Sequence, residues 1–160
     1  MARAEAADMS DDSAPKTPDR LRRRASRLLS QLSTRSDRLI NEGLIRADAR
    51  KWHYAVLASL QDHGPGSQAT LSRRTGIYRS DMVGVLNELA ERHLVERAPD
   101  PDDQRRNIIT ISTQGRRQLR RLDKVLDDLH DELLAPLSPA ERDQFVQLLT
   151  RLLDHHTPSP

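Results

Sequence analysis

Apolar positions recur at helical spacing along most of the chain. From about Asp19, Leu21, Leu28, Leu32, Leu39 and Ile40 fall on one face of a long first helix that ends near Gly43. Trp52, Val56, Leu57 and Leu60 form the stripe of a second helix over about Asp48 to His63, stopped by Gly64-Pro65-Gly66. Ser67 to Arg74 reads as a short helix with Leu71 inward, Thr75-Gly76 as a turn, and Arg79 to about His93 as another helix. In that helix Met82, Val83, Leu86, Leu89 and Ala90 are expected to be buried, with Arg79, Ser80, Asp81, Gly84, Val85, Asn87 and Glu88 nearer the surface. Two short helices across a Gly-containing turn outline a helix-turn-helix.

Leu94 to Arg97 then reads as a strand and Asn107 to Ile111 as its β-branched partner. The connection Ala98–Arg106 carries two prolines and is expected to be an irregular, charged hairpin tip. From Thr113, Leu119, Leu122, Leu126, Leu129 and Leu133 recur at alternating spacings of three and four, the seam of a coiled coil, until Pro136. The seam serves either a second chain or its own. Ser138-Pro139-Ala140-Glu141 is a capping box that opens a last helix with the stripe Phe145, Leu148, Leu149, Leu152 and Leu153. The expected fold is mainly α, with a small wing of two or three strands.

Composition narrows this further. In 160 residues only 2% are aromatic, which suits packed helices better than a β-sandwich, and the absence of Cys excludes disulfides and thiolate chemistry. No apolar run reaches the length of a membrane span, and residues 1–18 lack the apolar stretch of a signal peptide, so a cytoplasmic protein is expected. The net charge of +2 is unevenly placed. Lys and Arg number 12 against 9 Asp and Glu in residues 1–67, 11 against 7 in residues 68–121, and 3 against 8 in residues 122–160.

A helix-turn-helix with a basic wing offers a duplex one helix for the major groove and a tip for the minor groove. Arg79 lies in the first turn of the second helix, Arg105 and Arg106 at the wing tip, and Arg73 and Arg74 where they can meet phosphate. Arg97, Arg116 and Arg117 are weaker candidates.

These segments carry a resemblance. Thr70-Leu71-Ser72-Arg73-Arg74-Thr75-Gly76-Ile77, Leu89 to Arg97, Asp100-Pro101-Asp102-Asp103-Gln104-Arg105-Arg106 and Ile109 to Gly115 are similar to the MarR family of winged helix-turn-helix regulators. The resemblance spans most of residues 20–155. It implies a homodimer whose N- and C-terminal helices intertwine, acting on a pseudo-palindromic operator as a repressor and released by a small, aromatic effector. Residues 19–47 would then be the first dimerisation helix, 48–112 the DNA-binding module and 113–156 the C-terminal dimerisation helices, between an arm at 1–18 and a tail at 157–160. Dimerisation would involve Leu21, Leu28, Leu32, Leu119, Leu122, Leu126, Leu129, Leu133, Phe145, Leu149 and Leu152. Arg79, Ser80, Asp81, Met82, Val83, Gly84 and Asn87 fall on the recognition helix, Arg105 on the minor-groove arginine, and Asp103 on the acidic residue that braces it. Gly84 stands where an Arg is frequent, Tyr78 where a Ser caps the helix, and His93 where a Gly ends it, so His93 is expected to be left-handed.

Trp52 and His53 fall near the cleft where relatives bind aromatic acids, although packing in the core is the favoured reading of Trp52. The scattered His53, His63, His93 and His130 make no metal pattern, and His155-His156 lies near the end of the chain, so neither metal nor cofactor is expected. No catalytic motif is present and no enzyme is expected. A winged-helix interaction dimer that does not read DNA is the alternative function.

Overall fold

The computed structural model describes residues 18–103 and 105–157. The arm and tail read from the sequence lie outside these, except for Pro18 and Thr157. Two units make up the chain, residues 1–35 and 36–160.

In the first unit, α1 (Asp19–Arg22) is a single turn, and α2 (Ala25–Arg46) starts after a break at Arg23 and Arg24. One continuous helix was expected here. Arg20, Arg22, Arg23, Arg24 and Arg27 stack like charges three and four residues apart, which destabilises a helix at that point. Leu21, Leu28 and Leu29 are exposed and Leu32 is half-buried.

The second unit takes in the end of α2, which runs past Gly43 to Arg46. It continues with α3 (Lys51–His63), β1 (Gly66–Ser67), α4 (Gln68–Thr75), α5 (Arg79–Glu91), β2 (Val95–Pro99), β3 (Asn107–Ile111), α6 (Thr113–Leu133) and α7 (Pro139–His156). The strands form one antiparallel sheet in the order β1-β3-β2, with Val95 opposite Ile111 and Pro99 opposite Asn107. The expected strand stopped at Arg97, yet the ladder continues through Pro99. β2 is an edge strand, so the missing proline N–H costs no ladder bond.

Two apolar clusters hold this unit together. One joins Val56, Leu57 and Leu60 of α3 to Leu71, to Met82, Val85, Leu86 and Leu89 of α5, to Ile109 and Ile111, and to Leu119. The stripe of α5 is thus rotated from the expected one: Val85 is buried and Val83 exposed. The second cluster packs Leu122, Leu126 and Leu129 of α6 against Leu44, Ala47 and Ala49. The α6 seam is therefore occupied by its own chain from Leu119 to Leu129, and only Leu133 at its end is half-buried. Heptad spacing identifies a buried face but says nothing of which chain covers it.

Ser138 caps α7 in the expected box, its Oγ accepting from the Glu141 N–H while Glu141 accepts from the Ser138 N–H. That bonding draws the Glu141 carboxyl below its ordinary pKa. No α7 residue is buried; Val146, Leu148, Leu152 and Leu153 are exposed, while Phe145 and Leu149 are half-buried. Among the described residues no helix is long and apolar enough to cross a membrane.

Candidate nucleic-acid interface

The geometry starts at α4. Ser67 caps it by accepting from the Thr70 N–H at 3.2 Å, and Gly76 ends it in the left-handed region at φ 72°. The Ser72 hydroxyl donates to the Ile77 carbonyl, fixing the turn into α5. Tyr78 occupies the N-cap of α5 without a side-chain bond, and Asp81 supplies the acidic charge in its first turn.

On α5 the buried residues are Met82, Val85, Leu86 and Leu89, which anchor the helix to α3 and α4. Met82, taken from the sequence as a DNA contact, is fully buried and cannot meet a base edge. Arg79, Ser80, Asp81, Val83, Gly84 and Asn87 share the open side. A Cβ added at Gly84 would meet nothing within 4 Å, so this face is unobstructed. Asn87 Oδ1 accepts from Arg97 at 2.8 Å, which ties the middle of α5 to the outer strand of the wing.

The wing tip is organised by Asp100, a residue the sequence reading gave no role. Its side chain is buried; it accepts from the Asp102 N–H at 3.0 Å and faces the Arg106 guanidinium at 3.5 Å. The Asp100 N–H donates to the Arg106 carbonyl at 2.8 Å, closing the loop. Asp103 meets Arg105 only at the backbone: its Oδ1 accepts from the Arg105 N–H at 3.1 Å while its Oδ2 lies 3.5 Å from Arg106. Arg106 is therefore drawn onto the wing, whereas the Arg105 side chain is exposed and, among the described residues, unpaired.

Arg79 and Arg105, 26 positions apart, come to one cleft of 370 Å³ whose walls include Ser67, Gln68, Ala69 and Arg106. Gln68, which the sequence reading passed over, donates to the Arg79 carbonyl at 3.2 Å and holds the start of α5 in place. Arg73 is exposed, while Arg74 spends one donor on the Gly64 carbonyl at 3.2 Å. Arg116, though exposed, donates to the Ile111 carbonyl at 3.0 Å. His93 takes the expected left-handed conformation, φ 55°, and ends α5 against the sheet.

A second cleft, of 480 Å³, lies between α3 and α5. Here His53, buried, places Nε2 at 2.9 Å from Glu88 of α5, and Arg50 approaches the other Glu88 oxygen at 3.3 Å. Burial lowers the His53 pKa even though Glu88 pulls the other way, and its buried Nδ1 has no partner among the described residues. Trp52 does not join it. That side chain is 49% exposed and does not line the cleft, against the expectation of core packing. Neighbouring positions on a helix point about 100° apart, so only one of the pair can face α5.

Two short helices across a glycine turn, the second open along one side, with a basic two-stranded projection beside it, define a winged helix-turn-helix protein. The MarR family model matches residues 48–106. The transcriptional repressor NicR of Pseudomonas putida is 30% identical over 101 residues, 63% of this chain and 64% of that relative, so the match spans under two thirds of its length. Escherichia coli MarR bearing a C80S substitution, solved with operator DNA, superposes with a TM-score of 0.69 at 26% identity, covering 80% of this chain and 92% of the other. The PcaV regulator of Streptomyces coelicolor, solved with its natural ligand, gives 0.68 at 28% identity over 84% and 94%. Over these residues the chain is similar to the MarR family of winged helix-turn-helix regulators.

Proposed function

We propose that the protein is a DNA-binding transcriptional repressor that acts as a homodimer on a pseudo-palindromic operator in the cytoplasm and performs no catalysis. The reading is carried by the convergence of Arg79 and Arg105: two exposed guanidinium groups, from the recognition helix and the wing, opening onto one cleft. Each protomer lays the open side of α5, with Arg79, Ser80, Asp81, Val83, Gly84 and Asn87, along a major groove and Arg105 in the flanking minor groove. Arg73 and Arg74 meet phosphates on the approach. The operator-bound relative supports this assignment.

Dimerisation is assigned to the exposed leucines at the two ends of the chain, Leu21, Leu28 and Leu152 with half-buried Leu32, Phe145 and Leu149, because apolar helix faces of this kind are covered in soluble proteins. Residues 19–47 and 113–156 then flank a DNA-binding module at 48–112. Release is assigned to a small aromatic acid in the cleft between α3 and α5, where Arg50 and Arg92 supply charge and His53 a ring nitrogen; a ligand-bound relative supports a site of this type. The test is selection of bound fragments from genomic DNA by the purified protein. An enriched inverted repeat, bound less tightly as salt rises, is the expected result. Recovery of no common sequence overturns the reading in favour of an interaction dimer.

A further inference from the structure

A second concentration of positive charge lies at the foot of the winged module. A cleft of 590 Å³ is walled by Arg92 and His93 at the end of α5, by Gln114, Arg117 and Arg121 of α6, and by Asp48. Arg117 and Arg121, one turn apart, are exposed and without a partner among the described residues. The one carboxylate in the wall, Asp48, already accepts from Arg92 at 2.9 Å, so three guanidinium groups share a single counter-charge.

The walls are tied together. Gln114 donates to the Arg92 carbonyl at 3.2 Å, Gln118 to the Ala47 carbonyl at 3.4 Å, and Ser112 to the His93 carbonyl at 2.7 Å. The arginines therefore project from elements whose backbones are fixed to one another.

DNA does not account for this charge. Arg92 follows the 13-residue α5, about 20 Å along the helix from Arg79. α6 begins beyond Ile111, at the opposite end of the hairpin from Arg105. The cleft thus lies at the far ends of α5 and of the hairpin from Arg79 and Arg105.

We propose that the cleft binds a small polyanion carrying phosphate or carboxylate groups. Forked guanidinium donors in pairs match the oxygens of either group, and several charges on the ligand are needed because the cleft is open to water. The ligand takes Arg92 from Asp48, whose left-handed backbone, φ 56°, sits between α2 and α3.

The test is calorimetric titration of the full chain with inorganic pyrophosphate and, in parallel, citrate, at constant ionic strength. Saturable binding of one ion per chain is expected. Preference for pyrophosphate assigns phosphate chemistry and the reverse assigns carboxylate; either supports the site. The double variant Arg117→Gln, Arg121→Gln should weaken binding roughly tenfold or more with an unchanged melting curve. Asp48→Asn, which frees Arg92 and tolerates the left-handed backbone, should tighten it. Absence of saturable binding, retention in the double Gln variant, or no gain in Asp48→Asn overturns the proposal. So does loss of binding in Arg79→Ala, which would place the anion on the DNA-facing surface. Binding is read without DNA, so its outcome is separate from that of the regulator reading.

Discussion

Two helical glycines, Gly115 of α6 and Gly84 of α5, should respond to alanine with opposite signs. Gly115 is the third residue of α6; its N–H donates to the capping Ser112 Oγ at 2.9 Å. A Cβ there would stand 2.0 Å from the Leu94 carbonyl oxygen and 2.9 Å from Ile111 Cγ1. Carbon and carbonyl oxygen tolerate about 3.3 Å, so the strand entry must move by more than about 1 Å. Leu94 is buried and its carbonyl accepts from the Ser112 N–H at 3.1 Å, so that movement also breaks a hydrogen bond. Overpacking of this kind costs about 1–3 kcal/mol and the lost bond about 1 kcal/mol, against a helix-propensity gain of at most about 1 kcal/mol. Gly115→Ala should therefore be destabilised by about 1–3 kcal/mol. Gly84 has open space where its Cβ would be, so Gly84→Ala should gain about 0.5–1 kcal/mol. Urea unfolding at one fixed protein concentration measures both. A Gly115→Ala protein as stable as the parent would refute the claimed approach of α6 to Leu94.

The same surfaces and links give further expectations. Arg105→Ala should reduce specific DNA affinity by at least about 1 kcal/mol, roughly fivefold, and weaken A·T preference at the half-site flanks; unchanged anisotropy titrations at fixed salt would count against the wing assignment. Asp100→Ala strands the Asp102 N–H and leaves Arg106 paired with Asp103 alone, so amide exchange should quicken at the wing tip while core amides stay protected; uniform protection would show that Asp100 does not organise the tip. Tyr54 donates to Asp123 at 3.0 Å, and burial together with that carboxylate pushes its pKa up to about 12. The folded chain thus keeps a proton that the unfolded chain loses from its ordinary value near 10, so stability should fall as pH rises through that window, and Tyr54→Phe should flatten the decline. His53 titrates below its ordinary value, so the unfolded chain takes the proton first as pH drops; stability present above about 6.5 should be lost below it, less steeply in His53→Gln.

The spacing of apolar residues located the helices but not always their partners. Val83 and Val85 are equally apolar and two positions apart, and only the placement of Leu57 and Leu71 beneath α5 decides that Val85 is covered. The leucines from Leu119 to Leu133 have the spacing of a seam between chains, yet their neighbours as far as Leu129 are Leu44, Ala47 and the α3–α5 core, residues whose proximity depends on the path of α2. Trp52 was misjudged because size alone favours burial, whereas the helix phase set by Val56, Leu57 and Leu60 turns it outward.

Local chemistry was easier to read than convergence. The left-handed His93 and the capped start of α7 each depend on residues within a few positions of one another, where turn and cap stereochemistry is nearly decisive. The clefts depend on distant ones: His53 with Glu88, Arg79 with Arg105, and Asp48 with Arg92, Arg117 and Arg121. Asp48 and Arg92 line both the cleft at His53 and the one at Arg117, so a single ion pair separates the two. No periodicity can signal that. It follows from Ala49 and Leu44 packing on α6 while α5 packs on α3, which brings the start of one helix beside the end of another.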